Sequence, residues 1–280
     1  MLFLLLAILS SASMALALRR FHNPVGNRYG IILGNYLTCI LLALLLTPRG
    51  SSVLAGSGGT LLMGAVTGFF YVAALVGMQT SVHRNGAGLT SAFARLGLVI
   101  SLLVSVLFFG ERPAPLQLAG VTLVLAALVL IHAGGESGSK RGFWILLLTL
   151  LFSGGADAMS KVFEQLGDPA ENTRFFFWLF VTALLLTAGL ALRERMRTGK
   201  RLAPRELAAG AVVGIPNYFS SYLLLRSLQR LPAILVFPVF STGTILLTLL
   251  AGALFFRERL TRRQALGVCL ILAALILLNI

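Results

Sequence analysis

Ionisable side chains are scarce in this chain of 280 residues. Only 11% of its residues are charged, and only nine are Asp or Glu. Its three histidines, His22, His83 and His132, lie apart from one another, and no paired acids accompany them. An enzyme active site needs clustered groups that exchange protons or bind a metal ion. We therefore expect no catalytic residues and no enzymatic activity.

Cysteine is almost absent as well. Cys39 and Cys269 stand alone in apolar stretches, and neither lies in a CxxC or zinc-site spacing. Paired or regularly spaced cysteines would be needed for a disulfide framework or a structural metal site. The sequence therefore predicts no disulfide, no metal and no cofactor.

Hydrophobic residues dominate, at 58% of the chain and a mean hydropathy of +0.92. Such values are typical of a protein that lies in a bilayer, where a spanning helix needs about 20 apolar residues. The apolar runs are continuous rather than alternating, which disfavours a transmembrane barrel. We predict an all-α membrane protein with ten transmembrane helices, near 2–18, 29–47, 60–81, 88–109, 115–132, 142–162, 174–192, 206–226, 233–256 and 264–280.

The formal net charge of +14 comes from basic residues scattered among short gaps between the apolar segments. The basic residues do not lie in a soluble domain that could bind a nucleic acid, so we expect membrane lipids to be their partner. Sixteen Lys and Arg follow the odd-numbered segments and six follow the even-numbered ones. By the positive-inside rule this predicts a cell (inner) membrane protein with both termini outside.

The chain also contains an internal repeat. Phe108 to Ile131 reads FFGERPAPLQLAGVTLVLAALVLI, and Phe255 to Leu278 reads FFRERLTRRQALGVCLILAALILL, with 13 of 24 positions identical at an offset of 147. At an offset of 146, the glycines of residues 64–68 align with those of residues 210–214. We predict two five-helix repeats, 1–137 and 138–280.

Five helices is an odd number, so the second repeat must enter the membrane from the opposite side. Inverted repeats are typical of secondary transporters, in which the two halves exchange conformations around one central site. The repeat therefore predicts alternating access around a cavity at the membrane midplane.

With ten segments in two halves and a doubled Phe-Phe-x-Glu-Arg motif, at Glu111-Arg112 and Glu258-Arg259, the chain resembles the drug/metabolite transporter superfamily, and within it the EamA-type branch. The resemblance covers essentially the whole length. It implies a cavity lined by the third, fourth, eighth and ninth segments, helped by the first and sixth, with the fifth and tenth at the periphery and often at a dimer contact. A monomer or a homodimer is therefore expected. Some branches have both termini in the cytoplasm, unlike the orientation that the charges predict.

Candidate substrate-binding residues are polar groups placed near mid-membrane, where they cost free energy unless they face protein or water. Asn217, Tyr218 and Ser221 follow Pro216 in the eighth segment, and the repeat places Tyr71 opposite Asn217. Thr244 lies near the middle of the ninth segment. The alternative for the eighth segment is a helix–helix seam, because Gly210 and Gly214 have small-xxx-small spacing.

Arg95 lies about seven residues into the fourth segment, and its repeat counterpart is Thr242. Its guanidinium can bind a carboxylate or phosphate of a substrate through paired hydrogen bonds. The alternative is that the side chain reaches back to the membrane surface. Both interpretations are open from the sequence.

Asp157 is the one acid inside a predicted span, in the sixth segment, and Lys161 follows it by four residues. An ion pair between the two on one helix face is the simpler interpretation. The alternative is proton coupling, because burial favours the protonated form of a carboxyl group.

Glu111, Arg112, Glu258 and Arg259 lie at membrane boundaries on opposite sides, where they are candidate gate ion pairs or turn anchors. The function that we expect is secondary transport of a small polar or amphipathic metabolite, such as an amino acid or a related compound, with export favoured. The alternatives are a non-transporting receptor or assembly subunit and a transferase of lipid-linked groups.

Overall fold

A computed structural model describes residues 1–21, 27–47, 52–53, 56–85, 87–132, 140–256 and 262–278. Within these ranges the regular structure is entirely helical. The helices are α1 (Leu2–Arg20), α2 (Gly30–Leu46), α3 (Gly58–Asn85), α4 (Ala87–Leu96), α5 (Leu98–Phe109), α6 (Pro115–His132), α7 (Lys140–Leu166), α8 (Asn172–Thr198), α9 (Pro204–Leu228), α10 (Ala233–Phe256) and α11 (Arg262–Leu278), with a 3-10 turn at Pro169–Glu171 before α8.

The predicted apolar segments correspond to these helices with one difference. The fourth segment, predicted as one helix, is divided at Gly97 into α4 and α5. Glycine is a poor helix former, and this one lies where two backbones cross. A Cβ atom on Gly97 would lie 2.7 Å from the backbone nitrogen of Gly154 in α7. The close crossing therefore explains both the glycine and the break.

Five of the helical segments are long and apolar enough to cross a membrane: Gly58–Val82, Gly142–Leu166, Pro169–Thr198, Pro204–Leu228 and Ala233–Ala251. Five further apolar helices are shorter, at 10–17 residues. Many large apolar side chains on the outer faces of these helices are exposed, for example Leu45 and Leu254 at 79% and 76%. An apolar exterior of this kind is suited to lipid, so the protein is a multi-pass membrane protein.

Helix packing repeats itself when the two halves of the chain are exchanged. The first-half helix α3 packs on α7 and α8 of the second half, and its counterpart α9 packs on α1 and α2 of the first half. The pairs α2–α8, α5–α10 and α6–α11 each join one helix to its own counterpart. The bundle therefore has the internal two-fold pattern expected of a two-repeat protein.

Glycines create the same close seam in both halves. A Cβ atom on Gly64 of α3 would lie 2.8 Å from the carbonyl oxygen of Phe175 in α8. A Cβ atom on Gly210 of α9 would lie 2.8 Å from the Cα atom of Gly34 in α2. Small residues at such crossings let membrane helices approach closely. The pairing of 64–68 with 210–214 thus marks equivalent seams.

Candidate functional site

Four polar side chains from four helices lie within electrostatic or hydrogen-bonding range of one another inside the bundle: Arg95 of α4, Asp157 of α7, Tyr71 of α3 and Ser221 of α9. The hydroxyl groups of Tyr71 and Ser221 lie 3.1 Å apart, within hydrogen-bond distance. Asp157 interacts electrostatically with the guanidinium of Arg95 and with Tyr71. We call this group the polar cluster. It joins residues of both halves of the chain.

The crossing of Gly97 with Gly154 positions the two charges of the polar cluster. Arg95 lies two residues before Gly97 in the last turn of α4, and Asp157 lies three residues after Gly154 in α7. Because glycine lets the two backbones touch, the side chains on either side of the crossing are brought into range of each other. Removing water from around opposite charges strengthens their attraction.

All four side chains of the polar cluster are half-buried rather than sealed. An aromatic wall lies beside them, in which the Tyr71 ring meets the Phe180 ring edge to face at a centroid distance of 6.3 Å. Half-buried polar groups deep within a helical bundle must face an internal space, because lipid would not solvate them. The polar cluster therefore lines an interior surface.

Asn217 lies elsewhere than predicted. Its side-chain amide donates to Oδ1 of Asn35 in α2 at 3.0 Å, and the same seam contains Cys39, whose thiol donates to the carbonyl oxygen of Gly214 at 3.3 Å. Tyr71, which the repeat placed opposite Asn217, bonds Ser221 instead, one turn farther along α9. Asn217 stabilises the α2–α9 seam, which is the alternative that the glycine spacing left open.

Tyr218 and Thr244 are also sealed from the interior surface. Tyr218 is fully buried among aromatic rings, stacked on Tyr222 at 6.0 Å and packed against Phe176. Thr244 is 1% exposed in α10. Neither hydroxyl has a hydrogen-bond partner within the described ranges of the chain. Burial among apolar side chains keeps both from contacting a solute in this conformation.

The predicted ion pair between Asp157 and Lys161 is wrong. Lys161 Nζ lies 3.0 Å from Oε1 of Glu111 and 2.6 Å from Oε2 of Glu164, and its side chain is 3% exposed. The two acids are nearer partners because one approaches from the α5–α6 connection and the other lies one turn farther along α7. The charged group that interacts with Asp157 is Arg95.

The candidate gate residues differ in what they contact. Besides Lys161, Glu111 binds the start of α10, because its two carboxylate oxygens accept hydrogen bonds from the backbone N–H groups of Ala233 at 2.9 Å and Ile234 at 3.1 Å. Arg112 is exposed. Glu258 and Arg259 lie outside the described residues.

A cation–aromatic contact that was not predicted from the sequence lies next to Ser221 on α9. Arg226 Nε donates to the hydroxyl oxygen of Tyr222 at 3.2 Å, and its guanidinium lies 5.5 Å from the centre of that ring. The four-residue spacing on α9 is the signal that would have revealed it. The pair extends the polar surface from Ser221 towards the end of α9.

A separate apolar groove of about 440 Å³ lies between α3, α7 and α8. Its lining includes Phe69, Leu148 and Leu186, which are 51%, 46% and 40% exposed. Such exposure places the groove on the outer face of the bundle, away from the polar cluster. Lipid is its natural neighbour.

Comparison with known proteins identifies the family. The model of the EamA-like transporter family, within the drug/metabolite transporter superfamily, matches residues 1–133 and 140–280. The chain is 26% identical over 276 residues to the glucose uptake protein GlcU of Bacillus subtilis, covering 91% of this chain and 90% of that protein. It is 24% identical over 204 residues to an uncharacterized protein of Haemophilus influenzae, covering 71% and 68%.

A chain in a solved crystal structure has the same fold, with a TM-score of 0.74 at 19% identity over 99% of this chain and 94% of that one. The family and its relatives point to transport of a small molecule through a lipid membrane rather than to enzymatic chemistry.

Proposed function

The chain belongs to the EamA-like transporter family, and from this premise we propose that it is a secondary transporter working by alternating access. In this proposal ten membrane spans form two inverted five-helix repeats, and both termini lie outside an inner cell membrane. The two halves close alternately over the polar cluster. The packing pattern that survives exchange of the halves supports the proposal.

The observation that carries the proposal is the electrostatic interaction between two opposite charges inside the bundle, Arg95 and Asp157. Buried charges in a membrane protein are expensive, and a purely structural pair is often replaceable by apolar side chains. A solute that carries an anionic and a cationic group can separate the two, placing its anion on the guanidinium and its cation on the carboxylate. The hydroxyls of Tyr71 and Ser221 add hydrogen-bonding groups beside them.

The substrate that fits this surface is a small polar or amphipathic metabolite, such as an amino acid or a related compound, and export is the proposed direction. A sugar is the second candidate, because one relative is a glucose uptake protein. A sugar has hydroxyl groups but no net charge, so Arg95 and Asp157 would remain paired when it binds. The two substrates therefore make different demands on the two charges.

The test uses purified protein, first in a thermal-shift screen of neutral amino acids, organic anions and glucose, and then in liposomes loaded with whichever solute stabilises it. For a zwitterionic substrate, Arg95→Gln and Asp157→Asn should each lower flux about tenfold or more, since each removes a charge-assisted bond. Arg20→Gln, at an exposed helix end, is the matched control and should transport normally.

If glucose stabilises the protein and both charge variants still transport it, the proposed substrate becomes a sugar. A solute that stabilises the protein without crossing the liposome membrane would indicate a receptor and contradict transport.

A further inference from the structure

The end of the bundle that contains Glu111 is held together by contacts between the two halves of the chain. Glu111 belongs to the first half, at the connection between α5 and α6. Its carboxylate accepts hydrogen bonds from Ala233 and Ile234 at the start of α10, in the second half. It also forms an ion pair with Lys161 of α7, likewise in the second half. One side chain thus ties a loop of one half to two helices of the other.

The chemistry of these contacts makes Glu111 costly to lose from this position. The N-terminus of a helix carries partial positive charge and unpaired N–H groups, so a carboxylate is well placed there. Lys161 is 2% exposed, and a buried ammonium needs acidic partners. Withdrawal of Glu111 would leave two backbone N–H groups of α10 without an acceptor and Lys161 with Glu164 as its ion-pair partner.

The fourth apolar segment consists of α4 and α5, and the helices packed on each of them show what surrounds Glu111. Beyond Gly97, α5 packs against α7 and α10, and α4 packs against α7, α3 and α6. Glu111 follows α5 and binds the start of α10, so its contacts join the end of α5 to the start of α10. The polar cluster lies deeper, at the level of the Gly97–Gly154 crossing.

Lys161 also connects this end of the bundle to the polar cluster. It lies on α7 one turn beyond Asp157, the carboxylate that interacts with Arg95. A movement of α7 that separates Lys161 from Glu111 therefore also displaces Asp157. The contacts of Lys161 at this end and the position of Asp157 in the polar cluster therefore depend on the same turn of α7.

We propose that Glu111 is the lock that keeps this end of the bundle closed, and that its separation from Ala233, Ile234 and Lys161 opens a path to the polar cluster. The proposal rests on the alternating access proposed above, because a lock has a purpose only where two conformations exchange. The carboxylate of Glu111 then controls access to the polar cluster from one side of the membrane.

The test measures access directly and needs no substrate. The reporter is Ser221→Cys, in the polar cluster, in a Cys269→Ser background. Cys39 is retained because its side chain is 0% exposed. Reaction with a membrane-impermeant maleimide is followed separately in right-side-out and inside-out vesicles. With Glu111 intact, labelling from the Glu111 end should be slow.

Glu111→Gln should speed labelling from the Glu111 end by about tenfold, the population change expected from losing one charge-assisted bond. Lys161→Gln should give a smaller increase, because Glu111 keeps its two backbone bonds, and it serves as a second variant if the first folds poorly. Arg112→Gln and Asp168→Asn are the matched controls: the first is the exposed neighbour, and the second removes a different acid, which accepts a hydrogen bond from Ala170 within its own half of the chain.

Unchanged labelling in both Glu111→Gln and Lys161→Gln would overturn the proposal, as would equal increases in the two control variants, which indicate general loosening. Faster labelling without transport of any tested solute would uphold the lock and count against the transport proposal alone.

Discussion

The seam between α2 and α9 allows a sharp prediction at Gly210. A Cβ atom at this position would overlap the carbonyl oxygen of Ile31 and lie 2.8 Å from both the Asn35 nitrogen and the Gly34 Cα atom. All three obstructing atoms belong to the backbone of α2, so no side-chain rotation can relieve the clash. Overpacking costs about 1–3 kcal/mol, and a rigid neighbour favours the upper end of that range.

Gly210→Ala should therefore lower stability by about 3 kcal/mol, or about 6–12 °C in Tm at about 2–4 °C per kcal/mol. The measurement is thermal unfolding in detergent followed by intrinsic fluorescence. The matched control is Gly189→Ala in α8, where an added Cβ atom meets nothing within 4 Å. Alanine is a better helix former than glycine by about 1 kcal/mol, so the control should be neutral or stabilising. Equal Tm values for the two variants would refute the close seam.

Three further predictions concern single side chains. Asn217→Ala should lower the Tm by removing the bond to Asn35, at a cost of about 1–3 kcal/mol, without changing KM for any transported solute; a changed KM would return Asn217 to the binding site. Glu171→Gln should also lower the Tm, because its carboxylate accepts bonds from Ser57 at the start of α3 and unpaired helix ends are costly; an unaltered Tm would contradict that role. Asp157→Asn should abolish any flux driven by a pH gradient while leaving downhill exchange measurable, and retained pH-driven flux would exclude Asp157 as the proton carrier.

Helix positions could be predicted from the sequence because each span requires a long run of apolar residues, and such runs are visible in the sequence itself. The break at Gly97 could not, since a lone glycine in an apolar run is compatible with a continuous helix. What decides the break is Gly154 on another helix, against which the backbone crosses. That information becomes available only when the two helices are placed together.

The polar cluster could likewise be predicted only in part. The depth of Arg95 and Asp157 in their segments identified both as unusual, because a charge in a membrane span needs a partner. Their partnership was missed since spacing along one helix favoured Lys161, four residues from Asp157. Tertiary packing supplies Lys161 with Glu111 and Glu164 instead. A sequence pattern can rank contacts within a helix, but it cannot weigh them against contacts between helices.

The two copies of the repeat agree in their seams and differ in their charges. The glycines that bring α3 to α8 and α9 to α2 are duplicated. Arg95, by contrast, corresponds to Thr242, whose hydroxyl donates to the carbonyl oxygen of Pro238 in its own helix at 2.6 Å. An offset of 142 aligns the first segment with the sixth, for example Ser11 with Ser153 and Phe21 with Phe163, and it places Asp157 on Ala15. The interaction between Arg95 and Asp157 is therefore supplied once, by α4 and α7.

The acid that forms the proposed lock is different, because the sequence provides it twice. Glu111 corresponds to Glu258, and its partner Lys161 corresponds to Arg19. A machine that admits a solute from two sides to one place needs two closures but a single binding surface. An acid that the sequence provides twice and an internal charge pair that it provides once are consistent with that requirement. The same reasoning makes Arg95 and Asp157, rather than the repeated motif, the residues whose replacement should alter which solute is chosen.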